Sequence, residues 1–85
     1  MNNTYHVLMT TDDSRVIKMT PAMRLESARL FFHFMLGQLS SMGRIVECVE
    51  SDSAKRLYDL PTDAIQTAVH SNGYMLGALW IVPSN

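Results

Sequence analysis

The stretch Met23–Gly43, MRLESARLFFHFMLGQLSSMG, limits what this chain can fold into more than any other. Apolar residues recur there at helical spacing, and Leu25, Ala28, Phe32, Met35, Leu36, Leu39 and Met42 fall on one face. Thr20 suits the position before a helix and Pro21 the first helical position, where a missing N–H costs nothing. Gly43 supplies a stop. The spacing therefore predicts one helix over 21–42. In a chain of 85 residues there is room for one core only, so this helix must lie on a broad apolar surface made by everything else.

The other segments read mainly as strands. YHVLM (Tyr5–Met9) and RVIKM (Arg15–Met19) flank the turn-prone TTDDS and predict a hairpin. In its second arm Arg15, Ile17 and Met19 share one face and Val16 and Lys18 the other. RIVECVE (Arg44–Glu50) is a third strand, and AKRLYDL (Ala54–Leu60) a helical turn or two ending at Pro61. TDAIQTAVHSNG reads in two ways. Thr62 as cap, with Ile65, Ala68 and Val69 at helical spacing, predicts a short helix closed by a left-handed Gly73. Asn72-Gly73 between apolar runs is equally a hairpin turn signal, which would make Ile65–Ser71 a strand. Alanine and glutamine tilt the expectation to the helix. YMLGALWIV (Tyr74–Val82) is apolar almost throughout and predicts an interior strand. The expected fold is a single α+β domain over 1–85. It has a small four-stranded, mainly antiparallel sheet in β-β-α-β-α-β order, with one long helix packed on one face.

Only 18% of residues are charged, against about 25% in an average globular chain, so some surface must be neutral or apolar. Seven methionines add soft side chains of the kind common at adaptable binding surfaces. The net charge is −1. Neither half of the chain has the basic density that neutralising phosphates requires, so nucleic acid is not an expected partner. Cys48 is the single cysteine, which excludes a disulfide within the chain and suits a reducing cytoplasm. Sharing a strand face with Val46, it is expected to be buried and inert. MNNTYHVLMTT lacks the features of a signal peptide, and YMLGALWIV is less than half of a membrane-spanning helix. The expected location is the cytoplasm.

Residues suited to chemistry are present but scattered. His6, His33, Cys48 and His70 sit on four separate predicted elements, with no close pair of metal-ligand spacing, so neither a metal nor a cofactor is expected. There is no nucleophile elbow and no glycine-rich phosphate loop. Glu47 and Glu50 fall on opposite faces of a strand and make no acid–base pair. Asp59 and Asp63 read as helix-end charges, and Lys55-Arg56 beside Tyr58 as a solvated helix face. No catalytic residue is expected, and the chain is read as a non-enzyme.

The long helix presents a problem that its core face does not solve. Glu26, Arg29, His33, Gly37 and Ser40 form a polar stripe beside that face. The direction opposite the core should be the wettest, yet it carries Met23, Leu30 and Phe34, with Phe31 flanking and Ser27 and Ser41 between. Two coverings are open: the segment around Leu57, Tyr58 and Leu60 folding back, or the surface of a protein partner, including a second copy in a homodimer. The interface is the favoured expectation, with Met23, Ser27, Leu30, Phe31 and Phe34 as partner-binding residues. The chain then reads as a small protein-binding module that occludes or bridges a larger complex. Its size, near-neutral charge and lack of chemistry are similar to those of small phage-encoded inhibitors of bacterial machinery, including anti-CRISPR proteins, an analogy of style that would place it in a host cytoplasm. The alternative is a dimeric nucleic-acid-binding regulator.

Overall fold

In the computed structural model, residues 3–10, 15–57, 59–73 and 76–84 are described. The chain runs β1 (Tyr5–Thr10), β2 (Val16–Lys18), α1 (Leu25–Ser41), β3 (Ile45–Cys48), α2 (Asp52–Leu57), β4 (Gln66–Ser71) and β5 (Leu76–Pro83). Its strands form one sheet in the order β2-β1-β5-β4-β3, every neighbouring pair antiparallel. The α+β class, the antiparallel sheet and the single long helix are as expected. The sheet, however, has five strands rather than four.

The extra strand is β4, expected as a helix. Ala68 and Val69 do sit at helical spacing from Ile65, but the whole run pairs on both sides. Val69 faces Ala78 of β5, and Glu47 of β3 faces Val69. Both faces of β4 are covered, Thr67 through His70 all being buried. A strand buried on both faces loses the apolar–polar alternation that reveals a strand in sequence. Gly73 does take a positive φ of 97°, in the connection between β4 and β5 rather than at a helix end. Tyr74 and Met75, expected to begin the last strand, lie outside the described residues. β5 is interior as expected, between β1 and β4.

The long helix is shorter than 21–42, and the reason lies in β1. Met23 donates its N–H to Tyr5 O (3.0 Å) and accepts the Tyr5 N–H (2.8 Å), so the chain is still extended there, along β1. The Thr20 hydroxyl is not a helix cap. It accepts the Val7 N–H at 3.1 Å, while Thr20 O accepts His6 Nδ1–H at 3.1 Å. Helix begins only once those pairings end, after Arg24. At the other end Met42 leaves helical geometry, and its side chain is 73% exposed rather than part of the core.

α1 packs across β1, β5 and β3. Phe32 and Ala28 are fully buried against Val7, Ala68, Leu79 and Ile81, and Met35 and Leu36 pack around them. Strand alternation turns the other residues of β5, Ala78 and Trp80, to the opposite face. There they meet Ala64 and Leu60, together with Leu8 and Val82. The two ends of the connection from β3 to β4 are tied to the sheet by Val49 N–H to Thr67 O (2.9 Å) and Ile65 N–H to Ile81 O (2.9 Å). Lys55 is buried, and its ammonium donates to Ala64 O at 2.8 Å, holding α2 to the return segment. The sheet is thus covered on both sides through its middle, which explains why β5 is apolar almost without interruption.

Candidate functional site

The outer face of α1 is built by the same periodicity that builds the core. With Ala28, Phe32 and Leu39 seated on the sheet, residues half a turn away must point outward. Leu30 is 75% exposed and Phe34 60%, one turn apart and therefore neighbours on the surface. Glu26, Arg29, His33, Gly37, Gln38 and Ser41, all exposed, surround them. The His33 ring stands edge-on to Phe32, with centroids 5.7 Å apart, which holds it against the helix beside Phe34.

The five residues expected to bind a partner are placed in three different settings. Leu30 and Phe34 form the exposed pair. Ser27 and Phe31 are half-buried on the shoulder of the helix, Phe31 reaching the core beneath it. Met23 precedes the helix, pairs with Tyr5, and packs its side chain against the core. The proposed internal cover is not over Leu30 and Phe34. Leu60 packs on the far face of the sheet with Trp80, and Leu57 is 79% exposed. Tyr58 lies outside the described residues. Leaving two large apolar side chains in water forgoes about 1.5–3 kcal/mol each that burial would supply.

The residues suited to chemistry remain apart. His6 bonds Thr20 O, His33 lies on the helix surface, and the buried His70 accepts the Arg44 Nε–H at Nδ1 (2.7 Å). Among the described residues no group of three or more His, Cys, Asp or Glu could hold a metal ion. Cys48 is exposed, contrary to the expectation of burial. It does share a face with Val46, but β3 is the outer strand and Cys48 its last residue, so α1 does not close over it. It opens instead onto a cavity of about 300 Å³ shared with Arg29, Glu50, Lys55 and Thr67. Lys55, read from sequence as solvated, has its ammonium committed to a buried carbonyl. Asp59 takes a positive φ of 55° and closes α2 with its N–H on Arg56 O at 3.1 Å.

No helix among the described residues is long and apolar enough to cross a membrane. The chain matches no protein-family model, no curated protein and no solved structure.

Proposed function

We propose that this chain is a small, non-enzymatic protein-binding module that works in the cytoplasm. It docks through the outer face of α1 and occludes a surface of a larger assembly or pairs with a second copy of itself. One observation carries the reading: Leu30 and Phe34 are 75% and 60% exposed on a helix whose opposite face is fully seated on the sheet. The pair is compact and apolar, with a polar surround, which is the anatomy of an interface centre and its rim. The nucleic-acid alternative is the weaker one, because Lys55 is buried and donates to Ala64 O, so it cannot also face a phosphate. The test is the double substitution Leu30→Glu with Phe34→Lys. Melting at low protein concentration should be almost unchanged, while light scattering shows a smaller species or capture of the partner is lost. A variant that unfolds with no change in assembly would overturn the reading. Steeply salt-dependent DNA binding by the unaltered protein would replace it with the regulator.

A further inference from the structure

Besides the exposed pair Leu30 and Phe34, the outer face of α1 carries a residue that nothing within the chain accounts for. Gly37 lies one turn beyond Phe34, inside the helix, and lacks the positive φ that Gly43 and Gly73 adopt. A Cβ added to it would meet nothing within 4 Å among the described residues. Glycine inside a helix is less favourable than alanine, and here neither backbone geometry nor internal crowding offsets that cost. Such a position suits the close approach of a group from outside. Leu30, Phe34, Gly37 and Ser41 follow one another at alternating steps of four and three residues. That is the spacing of a seam along which one helix packs into another.

We propose that α1 pairs antiparallel with α1 of a second copy of this chain, Leu30 of each seating over Gly37 of the other. The proposal rests on the docking role of this face and names its occupant. Three observations select a second copy. Leu30 and Gly37 are a knob and an open seat about two turns apart on one stripe. A two-fold axis between His33 and Phe34 therefore makes both contacts at once, as a self-complementary interface requires. His33 is the middle residue of α1, so the same axis overlaps the two helices along their whole length and sets the two Phe34 rings side by side. The charges also fit. The exposed Arg24 comes level with the C-terminal end of the second helix, whose last turn has no basic residue of its own. Glu26 comes level with the hydroxyl of Ser41, and not with a like charge. The shared strip is about 25 Å by about 10 Å on each helix, well short of the roughly 1,200 Å² that stable interfaces bury. The pair is accordingly a weak, reversible dimer that fills only at high protein concentration.

Sedimentation velocity of the full chain, from micromolar to millimolar concentration, should show one monomer–dimer equilibrium and no larger species. Gly37→Leu fills the seat in the dimer but projects into open space in the monomer. In dilute protein its melting temperature should rise, leucine being the better helix former, while dimerisation weakens about tenfold or more. A glycine kept for the fold alone would give the reverse, a lower melting temperature with association unchanged, and that result overturns the proposal. Should Gly37→Leu lose its fold, Gly37→Ala adds only the Cβ and should move both readings in the same directions. A chain that stays monomeric at millimolar concentration overturns the pairing and leaves the docking face to a different protein. That wider reading fails separately, when Leu30→Glu with Phe34→Lys unfolds the dilute monomer. Assembly that grows past two copies, or a dimer as tight in the folded Gly37 variant as in the unaltered chain, also overturns the pairing.

Discussion

β5 divides the molecule into two layers built from alternate residues of one strand. On one side Leu79 and Ile81 meet Phe32, Ala28 and Val7, all fully buried. On the other, Ala78 and Trp80 meet Ala64 and Leu60, and two buried polar atoms, Thr67 Oγ1 and Trp80 Nε1, have no partner. Thr67 and Trp80 are themselves register partners across β4 and β5, so both lie in one row of that second layer. The first layer joins large side chains to a helix of 17 residues. The second joins Ala78 and Trp80 to a short helix and its return segment, and a cavity of about 600 Å³ remains. The fully buried side chains are concentrated in the α1 layer, and the unfilled space in the other.

The largest expected effect tests the filled layer. Phe32→Ala should cost about 3–5 kcal/mol in chemical denaturation, since Phe32 is the largest fully buried side chain among the described residues. A loss below about 1.5 kcal/mol would mean that α1 collapses onto the sheet and that the layer is less tightly filled than described.

Neighbouring positions on β5 give a sharper contrast, because they face opposite layers. A Cβ at Gly77 would stand 2.5 Å from His70 Cε1 and 3.1 Å from Thr10 O. His70 is 4% exposed and bonded by Arg44, and the carbonyl belongs to β1, so neither yields easily. Gly77→Ala should cost about 1–3 kcal/mol. Ala78→Val adds more volume one residue away, but into the cavity, and should cost less than about 0.5 kcal/mol or stabilise the protein. Thermal melts of the two variants compare them directly. Equal losses would break the distinction between the layers.

These layers also explain which parts of the fold were legible in sequence. α1 was readable because one of its sides is wet, so its apolar residues keep a helical period; its start was misplaced by the pairing of Met23 with Tyr5 that no local signal announces, and Met42 falls outside both the helix and the core. β1 and β2 were readable from their strand formers on either side of the turn-prone TTDDS. β4 was not, because Thr67, Ala68, Val69 and His70 are all buried and leave no alternation to detect. The exposed pair Leu30 and Phe34 followed from the helical wheel alone. The cavity did not. Its one local trace is the run Gly77-Ala78 beside Trp80, small residues next to the largest, which in sequence reads as ordinary interior strand.

A smaller effect probes the unmet polarity. Thr67→Val keeps the shape of the side chain and replaces a buried, unpartnered hydroxyl by a methyl group. Stability should rise by about 1 kcal/mol, since the desolvation cost of that hydroxyl disappears and nothing bonded is lost. A drop of similar size in the denaturation midpoint would show that the hydroxyl does meet a partner, such as a trapped water, and that the second layer is better satisfied than its geometry implies.

The smallest expected effect on folding belongs to the outer face of α1. Leu30→Lys replaces a side chain that is 75% exposed, on a helix whose stability comes from Phe32 and Ala28 on the other side. Lysine is nearly as good a helix former as leucine, and its ammonium remains in water. The free energy of unfolding, measured in dilute protein, should therefore stay within about 0.5 kcal/mol of the unaltered value. Repeating the measurement at high concentration adds the decisive comparison. If α1 pairs with a second copy, the unaltered protein gains stability with concentration by mass action and the variant does not. If both are indifferent to concentration, the pair Leu30 and Phe34 serves a different protein. A loss of several kcal/mol at low concentration would mean that another part of this chain covers Leu30, and the division of the molecule into a filled layer with a free outer face would fail.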